Sequence, residues 1–272
     1  MISPLDPPLS EFEDRRLRRF LMGLLSRGIG ASRWQGRLAR LSAGSLEEML
    51  EKSFKEFQWR LSVLQTESLK EIDPKKPLLI VANHPHGLMD GYLMAAFCAR
   101  SLQRKTSLVA NKVAARVCVN LNPWLIPVDN QGPQGSVRAQ FNKIALTEIK
   151  KRLRQNEAVV YFPAGEVSFW QWRKRNVMDG PWKLTPFLLA QETQAQILPV
   201  CIYGRPSLLF LSLRVFSRTL GRLCLFREMK RTQNRHFRLS VGGLLTHNQE
   251  ASAVVLAQTA RARLDEMKNG GI

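Results

Sequence analysis

The stretch LLIVANHPHGLMDGY, residues 78–92, decides the fold. It opens with an unbroken apolar run, which is typical of a strand buried on both faces of a parallel sheet. The run stops at Asn83 and His84, and Asp90 follows six residues after the histidine, where a helical pattern begins. The intervening loop can therefore fold back and bring the Asp90 carboxylate to the His84 imidazole. Such a pair acts as a general base, which takes the proton from a hydroxyl as its oxygen attacks a carbonyl carbon.

The same positions suit two other roles. A histidine in a strand-to-helix loop often only caps or hydrogen-bonds the turn. His86 also forms a His-x-His pattern with His84, which resembles the metal-binding loop of metallo-β-lactamase-like hydrolases. That loop needs more ligands than this chain offers, because Asp90 lies four residues after His86 rather than two and the four cysteines have no ligand spacing. We therefore expect no metal site.

A second block, AVVYFPAGEVS at residues 158–168, is another buried strand pattern that ends in a turn and a carboxylate. Together with Asn83, His84 and Asp90, it resembles the lysophospholipid acyltransferase superfamily, the PlsC-like glycerolipid acyltransferases. The His-to-Asp spacing is similar to that of its haemolysin-like branch. The segments NPWLIPVDN (residues 122–130) and ILPVCIY (residues 197–203) resemble the family's second and fourth blocks, so the resemblance covers most of residues 78–205.

The resemblance implies transfer of a fatty acyl group from a thioester to a hydroxyl of a lyso-lipid, without a covalent enzyme intermediate, in membrane phospholipid biosynthesis. His84 is the implied base and Asp90 its orienting carboxylate, while the donor is acyl-CoA or acyl-carrier protein and no cofactor is needed. Asn83 and Gly87 are expected to position the loop or stabilise the oxyanion, although turn geometry alone explains both. The other expected substrate-binding residues are Asp129, Pro163, Gly165, Glu166, Lys183 and Arg205.

The positions at which the chain departs from the family pattern indicate the chemical class of the acceptor lipid. Family members that use lysophosphatidate usually have a third block similar to FPEGTRS and an arginine in the second block, both of which supply cations to the phosphate. Here Val167 stands at the third-block arginine position, and carboxylates occur at Asp129 and Glu166. These carboxylates favour an ammonium group over a phosphate, so we expect an amine-bearing acceptor such as an aminoacyl lipid. Alternatively, Lys112, Lys183 or Arg205 supplies the missing charge.

The chain is strongly basic, with a formal net charge of +19 and a pI near 10.5. Residues 15–40 hold eight arginines and no acid, and an apolar stripe runs through them at helical spacing. This pattern predicts a helix that lies on an anionic membrane or, equally, an ordinary surface helix. Nucleic acid is a less suitable partner, because aromatic residues do not interleave with the basic clusters at any RNP-like or helix-turn-helix spacing. A catalytically idle membrane-surface or nucleic-acid-binding protein remains the alternative. The stripe comprises Leu17, Phe20, Leu21, Leu24 and Leu25.

The organisation of the chain follows from the alternation of strand and helix patterns. We expect an N-terminal helical, membrane-associating extension over residues 1–70 and an α/β acyltransferase domain over residues 71–272, with a mostly parallel sheet flanked by helices. The extension includes helical residues 15–40 and a helix from Ser45 to about Lys70, started by a capping box with Glu48. No run is long and apolar enough for a membrane span, so we expect a peripheral or monotopic protein. The scattered cysteines favour a reduced compartment, which indicates the cytoplasmic face of the membrane. Predicted strands are 77–82, 106–110, 124–128, 158–162, 197–203 and 237–242, and predicted helices are 90–102, 136–154, 182–193 and 250–268.

Overall fold

The strands of the protein follow the apolar runs of its sequence. A computed structural model describes residues 31–42, 44–102, 104–130, 135–216, 224–225, 227–245 and 251–270. Each of the six predicted strands is present, with bounds that differ by at most one residue from those expected. The strands are β1 Arg60–Leu64, β2 Leu78–Ala82, β3 Thr106–Asn111, β4 Leu125–Val128, β5 Ala158–Tyr161, β6 Phe169–Gln171, β7 Asn176–Met178, β8 Gln196–Ile202 and β9 His236–Val241.

Seven of these strands form one sheet in the order β1-β9-β8-β2-β5-β3-β4, and β6 and β7 form a separate hairpin. All neighbours in the large sheet are parallel except β8 and β9. Strand β2 lies in the middle, with Leu78 beside Ala158 of β5 and Gln196 of β8, and every residue of β2 is buried. The catalytic loop predicted after β2 therefore starts from a fully buried strand in the middle of the sheet.

Helices cover both faces of the sheet. On one face, Leu78 and Ile80 of β2 belong to a core cluster that includes the first three helices described below, and on the other face Leu79 and Val81 pack against later helices. The result is a three-layer α/β/α fold, as the sequence predicted. The helices are α1 Ala31–Arg40, α2 Leu46–Phe57, α3 Leu88–Ser101, α4 Lys112–Val117, α5 Ser136–Arg154, α6 Thr185–Thr193, α7 Leu208–Phe216 and α8 Ala253–Gly270.

The long helix expected from Ser45 to Lys70 is wrong beyond Phe57. Its start is confirmed, because the Ser45 hydroxyl accepts a hydrogen bond from the Glu48 N–H at 3.2 Å. Gln58 then adopts a left-handed conformation with φ of 54°, and the chain continues as β1. The apolar residues of β1 happen to have a spacing that also fits a helix. The segment forms a strand because it pairs with β9, which lies more than 170 residues further along the chain. Strand β1 thus lies within the stretch assigned to the N-terminal extension.

The β6–β7 hairpin and helix α7 were not predicted from the sequence. The β6–β7 hairpin and α7 follow the third and fourth sequence blocks, and they pack together through Val167, Val177, Phe210 and Leu211. The described part of the predicted N-terminal helix, α1, is helical; the apolar stripe of residues 17–25 lies outside the described residues. None of the described helices combines the length and the apolar character that a bilayer span requires.

Candidate active site

The loop after β2 brings His84 and Asp90 together. The His84 Nδ1 atom lies 2.8 Å from Asp90 Oδ2. Asp90 is in the first turn of α3 and is completely buried, while 19% of the His84 side chain is exposed. The Nδ1–H therefore donates to the carboxylate, and the free ring nitrogen that can accept a proton is Nε2. The contact predicted from the six-residue spacing is present.

Further hydrogen bonds hold this loop in place. Asp90 Oδ2 also accepts from the His86 backbone N–H at 2.9 Å, and the Asp90 N–H donates to the Gly87 carbonyl at 3.0 Å. Gly87 has φ of 65°, and a Cβ atom there would lie 2.8 Å from Leu225 Cδ2, so both conformation and space require glycine. The Asn83 side chain donates to the Ile202 carbonyl at 2.9 Å and accepts from the Ile202 N–H at 2.6 Å. Asn83 thus ties the end of β2 to β8.

His86 is held by contacts within the fold and not at the cavity, although it is only two residues from His84. Its Nε2 atom donates to the Tyr203 carbonyl oxygen at 3.0 Å, and its ring contacts Phe237 edge-on. Gly204 packs so closely that a Cβ atom there would lie 2.2 Å from the ring. The two histidines therefore have different partners, and His86 does not line the cavity described below.

The turn after β5 forms the opposite side of the site. The Phe162 ring stacks on the His84 ring with 4.4 Å between centroids. The Gly165 N–H donates to the Phe162 carbonyl at 3.0 Å, and the Gly165 carbonyl accepts from Asn130 Nδ2 at 2.8 Å. Gly165 has φ of 67°, which favours glycine in this tight turn. The buried Pro163 contributes its carbonyl, which accepts the Lys183 backbone N–H at 3.0 Å.

A cavity of about 600 Å³ opens beside His84. One end is apolar, and it lies between α3, β3, α4 and the turn that leads into β4. The other end is polar and is formed by the residues that follow β3, β4 and β5. The apolar lining includes Leu88, Gly91, Leu108, Val117, Cys118, Leu121 and Leu125. The polar lining includes Asn111, Asp129, Asn130, Arg138, Asn142, Glu166, Lys183 and Arg214.

Both carboxylates at the polar end are already paired with cations. Lys112 Nζ lies 2.5 Å from Asp129 Oδ2, and Arg214 forms an ion pair with Glu166. Arg138 Nε also donates to the Asp129 carbonyl oxygen at 3.0 Å. The expectation that Asp129 and Glu166 attract an ammonium group treated them as unopposed, and this premise is wrong. Lys112, named as an alternative source of charge, does lie beside the site.

The structure brings most of the predicted residues to one cavity. Those that line it are His84, Gly87, Asp129, Gly165, Glu166 and Lys183, with Asp90 directly behind His84. Three others do not line it. Asn83 and Pro163 act through their neighbours as described above, and Arg205 is exposed between β8 and α7.

Asp179 is a residue of the site that the sequence motifs did not identify. Its Oδ1 atom accepts from the His84 backbone N–H at 3.2 Å and from the Ser168 hydroxyl at 2.6 Å, and its Oδ2 atom accepts from Trp182 Nε1 at 3.2 Å. Burial raises the pKa of the Asp179 carboxyl above its ordinary value, although these hydrogen bonds oppose the rise. Asp179 therefore joins the loop that carries His84 to the β6–β7 hairpin. Its only sequence signal is that it is the sole acid between Glu166 and Glu192.

The cysteines of the described structure are unsuited to nucleophilic chemistry. Cys98, Cys118, Cys201 and Cys224 are all buried and free. Burial raises the pKa of Cys98 and of Cys118 to about 12, which keeps both as thiols at neutral pH. Cys118 lines the apolar end of the cavity as a small hydrophobic side chain.

Comparisons with known proteins agree with this arrangement. The chain is 26% identical over 178 residues to the lyso-glycine lipid O-acyltransferase of Bacteroides thetaiotaomicron, a match that covers 62% of this chain and 61% of that protein. It is 24% identical over 185 residues to the enzyme of the same name from Phocaeicola vulgatus, covering 66% and 63%. The matched region thus spans somewhat over three fifths of the length of these curated relatives.

The fold resembles that of a solved acyltransferase. The crystal structure of the 1-acyl-sn-glycerophosphate acyltransferase PlsC from Thermotoga maritima superimposes with a TM-score of 0.51 and 15% sequence identity, covering 98% of this chain and 87% of PlsC. At this identity the likeness shows the fold alone. The sequence model of the family described as acyltransferase matches residues 13–264, which is nearly the whole chain. This protein, whose first three sequence blocks line one cavity in a PlsC-like fold, therefore belongs to the acyltransferase family.

Proposed function

We propose that this protein transfers a fatty acyl group from an acyl thioester to a hydroxyl of a lyso-lipid. The observation that carries the proposal is the contact between His84 and the fully buried Asp90 beside a cavity that is apolar at one end and polar at the other. A general base, a site for an acyl chain and a site for a polar headgroup are the three parts that such a reaction needs.

In the proposed mechanism, His84 Nε2 accepts the proton of the acceptor hydroxyl as its oxygen attacks the thioester carbonyl carbon. Asp90 holds the Nδ1–H and stabilises the imidazolium that forms. The tetrahedral intermediate then collapses, the carbon–sulfur bond breaks, and the His84 proton passes to the departing sulfur. The products are an ester and a free thiol, so His84 returns to its starting state without any covalent bond to the acyl group.

The apolar end of the cavity suits the acyl chain of the donor. Its lining from α3, β3 and α4 offers aliphatic contacts and few polar groups, as burial of a hydrocarbon chain requires. Acyl-CoA and acyl-carrier protein both present the chain as a thioester. The basic surface of the protein suits the phosphates of the former and the acidic surface of the latter.

The acceptor that we propose is a lyso-lipid of the amino-acid type. Two relatives carry the name lyso-glycine lipid O-acyltransferase, and their matches cover 62% and 66% of this chain. The polar end of the cavity, with Asp129, Gly165, Glu166 and Lys183, suits the headgroup.

We further propose that the protein works as a peripheral protein on the cytoplasmic face of an anionic membrane, where a lyso-lipid is available. The net charge of +19 supports this location, as does the pattern of arginines and apolar residues between positions 15 and 40. Salt should weaken binding to anionic vesicles only in part, because it screens the arginines and leaves apolar burial intact.

The proposed function is tested by acyl transfer with the purified full-length protein. Labelled acyl-CoA and acyl-carrier protein are offered separately with a panel of lyso-lipids that includes lyso-glycine lipid and lysophosphatidate. We expect ester formation that the His84→Ala substitution lowers by about 10²- to 10⁴-fold. Absence of transfer from both donors to every acceptor would refute the proposal, as would undiminished transfer by the His84→Ala variant.

A further inference from the structure

Helix α7 forms one wall of the cavity and has an apolar outer face. Its inner face carries Phe210 and Arg214, which line the cavity, and Leu211, which is buried against the β6–β7 hairpin. On the outer face, Leu208 is 72% exposed and Val215 is 52% exposed. These two residues are seven positions apart, so they lie on one side of the helix. Apolar side chains that are exposed together beside a cavity indicate an interaction surface.

The tip of the β6–β7 hairpin carries an exposed tryptophan beside three cations. Trp172 is 72% exposed, as much as Leu208 of α7. The next three residues, Arg173, Lys174 and Arg175, are exposed as well, and this turn contains no acid. Tryptophan favours the boundary between water and hydrocarbon, while arginine and lysine are attracted to anionic lipid headgroups. The composition of the tip is therefore that of a membrane contact.

The hairpin and α7 lie at the edge of the sheet where His84 lies. The hairpin follows β5 and α7 follows β8, and both strands are parallel to β2, which leads into the His84 loop. The two elements pack together, since the Arg214 guanidinium lies 4.9 Å from the centre of the Phe169 ring. The Ser168 N–H also donates to the His84 carbonyl at 2.9 Å. The exposed residues are thus attached through a packed unit to the loop that carries His84.

Helix α5 adds a second exposed apolar stripe at the same edge. It follows β4, which is parallel to β3 and, through β3, to β5. Val137, Phe141 and Ile144 recur at helical spacing and are exposed. Arg138 and Asn142 of the same helix line the cavity. Two walls of the cavity therefore carry outward-facing apolar side chains, and a bilayer is a partner wide enough to contact both.

From these observations we infer that the α7–hairpin surface docks on an anionic bilayer. This surface comprises Trp172, Arg173, Lys174, Arg175, Leu208 and Val215. The inference rests on the proposed function, whose acceptor is a lipid, and it adds a described surface to the pattern of residues 15–40. Because α7 contributes both to this surface and to the cavity, a lyso-lipid passes from the bilayer to His84 with little exposure of its chain to water.

The inference is tested by asking which side chains enter the bilayer. Val215→Cys and Val255→Cys are each labelled with an environment-sensitive fluorophore, which selects the introduced thiol because the four native cysteines are buried. Val255 is the matched control, since it is a helical valine that is 50% exposed. Its helix α8 follows β9, which is antiparallel to β8 and so ends at the opposite edge of the sheet.

The labelled proteins are mixed with vesicles of phosphatidylcholine and phosphatidylglycerol that contain lipids spin-labelled in the acyl region. We expect the fluorophore at position 215 to shift to shorter wavelength and to be quenched, and the one at position 255 to do neither. Equal responses at the two positions would overturn the inference. So would the absence of a response at position 215, whether or not the protein binds the vesicles.

Variants separate the apolar part of the surface from the charged part. Trp172→Ala and Leu208→Ala should each weaken vesicle binding about tenfold, on neutral and anionic lipid alike. Replacing the three cations of the hairpin tip with glutamine should weaken binding to anionic vesicles about fivefold per residue and change binding to neutral vesicles little. Lys75→Gln removes an exposed cation just before β2, at the opposite edge, and is the control. A triple variant that loses no more affinity than Lys75→Gln would overturn the inference.

These measurements need no turnover, so they are distinguishable from a failure of the proposed function. Quenching at position 215 supports the inference even if no donor gives acyl transfer. Trp172→Ala and Leu208→Ala should also keep their activity on lyso-lipid dissolved in detergent, because neither residue lines the cavity. A fluorophore at position 215 that responds to a second copy of the chain, or to acidic acyl-carrier protein, and not to vesicles would assign the surface to a protein partner and overturn the inference.

Discussion

The two ends of the cavity are built in different ways. At the reactive end, His84 and Asp90 are six residues apart and meet through one loop, at 2.8 Å. At the polar end, Asp129 and Glu166 pair with cations that lie 17 and 48 positions away in the chain. The reactive geometry is thus local, whereas the charge that a headgroup meets depends on how α4, α7 and the third-block turn pack together. A substitution at the first end should change the rate, and one at the second should change the choice of acceptor.

The largest effect is expected at the reactive end. His84→Ala and Asp90→Ala should each lower kcat by about 10²- to 10⁴-fold, because loss of a general base or of its orienting partner removes that much. The double variant should lose little more than either single one, since the two side chains act as a unit. Rates come from the acyl-transfer assay, and circular dichroism reports whether the fold is kept.

His86→Ala is the matched control for this comparison, because its ring is tied to the Tyr203 carbonyl and lies off the cavity. It should be less stable but should keep most of its activity at a temperature where it is folded. An inactive His86 variant together with an active His84 variant would show that the base has been assigned to the wrong histidine.

The difference between the two ends also explains what the sequence could predict. Residues 78–92 predicted both the central strand and the His84–Asp90 contact, because an apolar run and a six-residue spacing are local properties. The six strands predicted from the sequence were identified for the same reason, because each is an apolar run. The helix expected through Leu61 and Leu64 was wrong because β1 is defined by pairing with a distant strand, which no local pattern reports.

The polar end could not be predicted in the same manner. Glu166 was correctly expected near the site, but its partner Arg214 lies on a helix that the sequence did not suggest. Asp179 was missed because its function depends on a hairpin that turns back to the His84 backbone. Residue type and spacing therefore predicted the contact between His84 and Asp90, whereas the ion pairs at the polar end depend on tertiary packing.

A second prediction concerns the apolar end of the cavity. Gly91 of α3 lines it, and a Cβ atom there would lie 3.8 Å from Leu121 Cδ1, so alanine fits and leucine intrudes. Gly91→Leu should lower kcat/KM for long acyl chains relative to short ones by about 5- to 150-fold, from an overpacking cost of ~1–3 kcal/mol. Competition between acyl-CoA chains of different length measures the change.

Gly91→Ala is the control for that experiment. It should leave chain preference unchanged and stabilise the protein by about 0.5–1 kcal/mol, since alanine is favoured over glycine inside a helix. An unchanged chain-length profile in the leucine variant would mean that the acyl chain does not occupy this end.

A third prediction addresses the link between the hairpin and the reactive loop. Asp179→Ala removes the acceptor of the His84 backbone N–H, the Ser168 hydroxyl and the Trp182 indole N–H. Leaving these donors unpaired should cost about 1–3 kcal/mol in the free energy of unfolding. Because Asp179 positions His84 without contacting substrate, kcat should fall more than KM rises. Denaturant unfolding and steady-state kinetics test the two parts, and a change in KM alone would contradict the positioning role.

The smallest effect is a pH dependence of stability that arises at Asp179 itself. Burial raises the pKa of this carboxyl in the folded protein above that of the unfolded chain, about 3.9, so between the two values the folded state binds more protons. The contribution of Asp179 to stability is therefore fully present below pH ~3.9 and is lost as the pH rises through the folded-state pKa.

Relative to the Asp179→Asn variant, which cannot ionise, the wild type should lose about 1.4 kcal/mol of unfolding free energy per pH unit within that window and then level off. Denaturant titrations of both proteins from acidic to neutral pH give this difference, and Glu51→Gln, at an exposed position on α2, corrects for the general effect of removing one negative charge. A wild type that gains stability over Asp179→Asn as the pH rises would mean that the hydrogen bonds to the carboxylate outweigh its burial.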